Sequence, residues 1–140
     1  GAGPIHPDTP LDRLAELFAT IAATMAPFDV TAGPAHRFLQ TNVLSFPLDS
    51  HGPLRRLYER IRGSGLRFLP VRFPFSPHAT VNFYATITRE RERALRALRL
   101  AAPLEIRRLV LSRTNDPQPP EVLLSVTLSG APSAAAASPG

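Results

Sequence analysis

Apolar residues recur at three- and four-residue steps over residues 10–25: Leu11, Leu14, Leu17, Phe18, Ile21 and Ala22. That spacing predicts an amphipathic helix with one buried stripe. Thr9 is placed to cap it, Pro10 suits its first position, Asp12 falls in its first turn and Pro27 ends it. A second helix is predicted over residues 53–62, burying Leu54, Leu57, Tyr58 and Ile61 and exposing Arg55, Arg56, Glu59, Arg60 and Arg62. Gly63-Ser64-Gly65 stops it. A third, over residues 89–100, opens at Thr88 as cap, with Leu95, Leu98 and Leu100 as its apolar side.

Between the helices the pattern changes to alternation. Residues 28–31 read as a short strand, and Gly33-Pro34 as a turn. Residues 37–46 read as a further strand, residues 105–113 as another, and residues 121–129 as the last. In the last strand, Val122, Leu124, Val126 and Leu128 fall on one face. Residues 114–120 read as a turn-rich loop. The order α-β-β-α-β-α-β-β, with hairpin-like pairs at Phe28/Asn42 and Glu105/Glu121, predicts an α+β fold of mainly antiparallel sheets. We expect one domain over residues 1–130 and a low-complexity, disordered tail over residues 131–140.

The most informative alternation is Phe75-Ser76-Pro77-His78-Ala79-Thr80-Val81-Asn82-Phe83-Tyr84. As a strand it places His78, Thr80, Asn82 and Tyr84 on one face and apolar Ala79, Val81 and Phe83 on the other. An imidazole beside a hydroxyl suits chemistry on a phosphate: the histidine moves a proton and the hydroxyl holds a phosphoryl oxygen. The plainer alternative is a chance tripeptide on a structural strand, which predicts His78 buried against apolar neighbours.

Composition sharpens that choice. All 16 basic residues are arginine, and the net charge of +5 with a pI near 11.2 favours anionic partners. The chain has no cysteine, which excludes disulfides and thiolate metal sites and fits a reducing cytoplasm. No apolar run approaches the length that crosses a bilayer, so no membrane association is expected. Residue 1 is glycine and the single methionine, Met25, sits inside a helical pattern, so the sequence reads as a processed, tagged or truncated product.

In order along the chain, several segments carry a family pattern. They are Ala26-Pro27-Phe28-Asp29-Val30 after a first helix, Phe38 with Val43-Leu44-Ser45-Phe46, the helix Pro53-Leu54 to Ile61, the segment Phe75-Ser76-Pro77-His78-Ala79-Thr80-Val81, and a last hairpin ending Val126-Thr127-Leu128-Ser129-Gly130. Over about residues 10–130 this arrangement resembles the 2H phosphoesterase superfamily, the 2′-5′ RNA ligase-like proteins. The resemblance implies two lobes, each contributing one H-x-T to a shared cleft. It also implies metal-free phosphodiester chemistry at RNA ends, typically opening 2′,3′-cyclic phosphates. One histidine would act as general base and one as general acid, and the threonines would hold the phosphate. His78 and Thr80 match the second signature; no cofactor is implied.

The first signature is not evident. Its nearest candidate, Ile5-His6-Pro7-Asp8-Thr9, has histidine and threonine three apart, with Pro7 and Pro10 unsuited to a ladder strand. His36 and His51 lack a threonine two residues on and read as exposed or structural. Two explanations stand: a fragment whose first strand and H-x-T lie upstream, or a divergent member that binds RNA or nucleotide phosphate without turnover. Arg67 and Arg72, in an aromatic-rich stretch before His78, read as a phosphate clamp with a stacking surface, or as a surface loop whose phenylalanines are core. Tyr84 would line the cleft or cap it. The arginines of the third helix could track nucleic-acid backbone, or form a solvated face diluted by Glu90 and Glu92. The expected partner is RNA or a nucleotide with a cyclic or 2′-5′ phosphate, to a monomer or a dimer alike.

Overall fold

A computed structural model describes residues 3–37, 43–71, 73–82, 88–115 and 118–132. The helices are α1 (Leu11–Ala23), α2 (Pro53–Arg62) and α3 (Arg89–Ala97). The strands are β1 (Phe28–Val30), β2 (His36–Arg37), β3 (Leu44–Pro47), β4 (His78–Asn82), β5 (Leu104–Ile106), β6 (Arg108–Asn115) and β7 (Gln118–Thr127). Two sheets are two-stranded, β1 with β5 and β6 with β7; the third has the order β2-β3-β4. The α+β, antiparallel expectation is borne out.

The chain divides into two compact units. The first comprises residues 29–58 and 72–104. Its centre is β3, which pairs antiparallel with β2 on one side and β4 on the other. Leu44 and Phe46 point to one face of β3 and are buried, as are Val30, Ala35 and Leu57. The far end of β3 is tied by main-chain bonds from Gly33 N to Pro47 O (2.8 Å), Asp49 N to Thr31 O (3.0 Å) and Leu48 N to Pro77 O (2.9 Å). The last of these fixes the entry to β4.

The second unit comprises residues 2–28, 59–71 and 105–140. Its core is Leu14, Phe18 and Leu66, with Ile61, Phe68, Leu109, Leu111, Leu124 and Val126 packed against them. The helix stripe read from the sequence is thus what β6 and β7 cover. Ile5 bridges Phe68, with His6 N donating to Arg67 O at 2.9 Å. Gly130 N donates to Met25 O at 3.0 Å, and a Cβ at Gly130 would lie 2.5 Å from Met25 N. The end of α1 and the strand exit therefore pack main chain on main chain, which only glycine permits.

Several expectations are corrected. Residues 37–46 are not one strand: β2 and β3 are antiparallel neighbours, with His36 opposite Ser45. β1 pairs with β5; Asn42, the expected partner of Phe28, lies outside the described residues. Residues 105–113 are two strands, β5 and β6, separated at Arg107. β7 starts at Gln118, three residues before the predicted Glu121, and so takes in Pro119 and Pro120. Thr9 does not cap α1; its hydroxyl donates back to His6 O at 2.7 Å, and Pro10 holds the cap position with no side-chain bond. Thr88 does cap α3, accepting from Arg91 N at 3.1 Å. α3 ends at Ala97, leaving Leu98 and Leu100 exposed.

Two further corrections share one cause. Val122 is 61% exposed rather than aligned with Leu124 and Val126, because Leu111 opposes Leu124 while the next residue, Ser112, opposes Val122. Val81 is 44% exposed rather than buried, because Ser45 opposes Thr80 while Leu44 opposes Asn82. In each case a bulge inserts one residue and breaks the alternation.

Candidate active site

His78 opens β4 opposite Pro47, and Thr80 lies opposite Ser45. Both are exposed, and with Ser45 and Pro47 they occupy the face opposite Phe46 and Ala79. The exposure of His78 runs against the reading of H-x-T as a chance tripeptide on a buried strand. Regular pairing from Pro47 to Ser45 holds His78 and Thr80 on one face, and the bulge falls only beyond Thr80.

His78 Nδ1 lies 2.7 Å from Ser76 O. A carbonyl can only accept, so this contact puts a proton on Nδ1. In the neutral ring Nε2 is then the acceptor, the atom that can take a proton from water.

The segment before His78 is clamped from α2. The rings of Tyr58 and Phe75 stack at 4.2 Å and 16°. The Arg55 guanidinium lies 4.9 Å from the Phe75 centroid, and its Nε donates to Ser50 O at 3.2 Å. Arg55 is accordingly half-buried rather than exposed as the helical pattern predicts. This clamp holds Phe75, three residues from the imidazole, against the helix.

The other sequence-predicted site residues are placed differently. Arg72 and Tyr84 lie outside the described residues. Arg67 belongs to the second unit and is exposed. Of the aromatic stretch, Phe68 packs on the second unit's core, whereas Phe73 is 76% exposed. On α3, Glu92 pairs with both Arg37 (3.2 Å) and Arg96 (3.1 Å), so part of that helix's charge is neutralised. The second unit also holds a groove of about 610 Å³ lined by Arg13, Glu16, Thr20, Glu59 and Arg60 among others, but by none of the sequence-predicted site residues. Among the described residues no group of three histidine, aspartate or glutamate side chains is arranged to hold a metal, and no helix is long and apolar enough to cross a membrane.

One residue set aside by sequence reasoning comes onto the His78 face. His36 opposes Ser45, which opposes Thr80. Nothing in the local sequence around His36 signals this; the pairing of three strands produces it.

Among the described residues, three helices with antiparallel sheets, one of them carrying an exposed histidine and threonine on a single face, make an α+β fold consistent with the 2H phosphoesterase kind. The family model described as the 2′-5′ RNA ligase superfamily matches residues 2–118, and the chain belongs to that superfamily. Membership supports 2H phosphoesterase-type activity in general, on RNA or nucleotide substrates. No curated protein and no solved structure matches the chain.

Proposed function

We propose that the chain is a phosphodiesterase acting on a 2′,3′-cyclic phosphate or a 2′-5′ linkage of RNA or a nucleotide, with no metal in the reaction. The observation that carries this reading is His78, exposed, with Nδ1 at 2.7 Å from Ser76 O, sharing a strand face with Thr80. In hydrolysis of a cyclic phosphate, His78 Nε2 takes a proton from water as its oxygen bonds to phosphorus. The bond from phosphorus to one ribose oxygen breaks, and that oxygen must receive a proton. The Thr80 hydroxyl donates to a phosphoryl oxygen as charge grows on it. Arg72 and Tyr84 are assigned to substrate binding on the sequence argument alone, the arginine for phosphate and the phenol for its nearness to His78 along the chain. The net charge of +5 is in keeping with an anionic substrate.

The test is hydrolysis of adenosine 2′,3′-cyclic phosphate in excess chelator. His78→Ala should lower kcat/KM by about 10²–10⁴-fold, the range for losing a general acid or base. Equal rates in the two proteins would count decisively against the reading. A second reading, phosphate binding without turnover, is favoured by the single H-x-T in the sequence. It predicts salt-sensitive RNA binding that weakens in Thr80→Ala, with no hydrolysis by either protein.

A further inference from the structure

The contact that selects the tautomer of His78 depends on where one carbonyl points. Ser76 O lies 2.7 Å from His78 Nδ1, two residues back along the chain. Residues 73–76 stand before β4, and among the described residues they make no main-chain to main-chain hydrogen bond. Pro74 and Pro77 have no N–H to give. Downstream the segment is tied, since Leu48 N donates to Pro77 O at 2.9 Å. Upstream, the tie is made by side chains.

That tie is the face of α2 formed by Arg55 and Tyr58, three residues apart and therefore neighbours on the helix surface. The Tyr58 ring lies nearly parallel to that of Phe75, at 4.2 Å and 16°. The Arg55 guanidinium sits 4.9 Å from the Phe75 centroid and 5.7 Å from that of Tyr58, and its Nε donates to Ser50 O at 3.2 Å. Stacked rings with a cation over them fix direction as well as distance. All three side chains are half-buried, and neither ring belongs to the buried apolar core. Phe75 is the residue next to Ser76, so holding its ring leaves the Ser76 carbonyl little freedom to swing. Every residue in this chain of contacts lies in the first unit.

We propose that Tyr58 and Arg55 are positioning residues for His78. This rests on the phosphodiesterase reading above. The two side chains hold Phe75, Phe75 holds the Ser76 carbonyl, and the carbonyl keeps the proton on Nδ1. Nε2 then stays bare toward the water it deprotonates. Without the clamp the neutral ring divides between its two tautomers, and the fraction with a proton on Nε2 cannot take another there. The clamp therefore sets the share of His78 that is ready to act as base. Both residues work through Phe75 rather than on substrate, so their loss falls on kcat rather than on KM.

The experiment compares the ¹⁵N-labelled parent, Tyr58→Leu and Tyr58→Phe at a pH about two units above the ordinary histidine pKa of about 6.5. Long-range ¹H–¹⁵N correlations report which ring nitrogen carries the proton. In the parent, His78 should show a protonated Nδ1 and a bare Nε2. Tyr58→Leu should show a mixture at His78, with His6 and His36 unmoved. Its kcat on adenosine 2′,3′-cyclic phosphate should fall about tenfold, with KM within about twofold of the parent. Tyr58→Phe, which keeps the stack, should rescue tautomer and rate alike. Arg55→Met, which leaves both rings in place, should shift the tautomer in the same direction by less, and it carries the test if Tyr58→Leu does not fold. A His78 tautomer unchanged in these variants would overturn the inference, as would a mixed tautomer with the parental kcat. Equal rates in the parent and His78→Ala would end the phosphodiesterase reading instead, and the tautomer comparison would still decide whether α2 sets the ring.

Discussion

The two units use their strands in opposite ways. In the second, β6 and β7 turn Leu109, Leu111, Leu124 and Val126 onto α1, and the inward side chains serve packing. In the first, β3 is buried along Leu44, Ser45 and Phe46, yet its neighbours keep His78 and Thr80 exposed and His36 half-buried on one face. Both sheets leave one face exposed, but in the second unit that face carries Val110, Val122 and a bonded Arg108–Ser125 pair, whereas in the first it carries an imidazole beside a hydroxyl. The difference teaches that what an exposed strand face carries, rather than its exposure, is the place to look for function in a small α+β chain.

The sharpest break in that comparison comes from large-to-small changes in each core. Phe18→Ala and Phe46→Ala, both at residues 3% exposed, should each cost about 3–5 kcal/mol by chemical denaturation. If Phe46→Ala were instead near neutral, the first unit would lack the apolar backing that holds its polar face in place. A smaller effect is expected at the end of α1. Gly130→Ala forces a Cβ against Met25 N and Thr24 C, and should cost about 1–3 kcal/mol, read as a lowered denaturation midpoint. The smallest effect should have the opposite sign. Ser45→Ala removes a buried hydroxyl with no described partner, and should be neutral or stabilising by up to about 1 kcal/mol. A clear loss of stability in Ser45→Ala would mean that the hydroxyl is bonded within the fold, and the contrast between the units would narrow.

What was legible in the sequence follows from period and punctuation. α2 was readable to the residue because Pro53 opens an apolar stripe and Gly63-Ser64-Gly65 closes it, with Gly65 at φ +85°. The Thr88 cap and the His78 strand were readable for similar local reasons. The bulges were not. Val81 and Val122 sit in perfect local alternation, and only the partner strand's register decides that each is left exposed. The same holds for pairing. β2 and β3 together look like one extended stretch until His36 is found opposite Ser45. So the candidate pair His78 and Thr80 was visible in one decapeptide. That His36 falls on the same sheet face was not, because it depends on hydrogen bonds between strands that are not adjacent in the chain.

The bond between His78 Nδ1 and Ser76 O has a consequence for anyone scanning this protein by mutation. Many proton-moving histidines are oriented by a carboxylate, and replacing the acid exposes the arrangement at once. Here the orienting group belongs to the peptide chain and survives every substitution at position 76. An alanine scan would pass over Ser76 in silence although its carbonyl sets which ring nitrogen would face the water in the proposed hydrolysis. Only chemistry that alters the main chain there, or a measurement that reports the ring's tautomer directly, would reveal that position as part of the machinery.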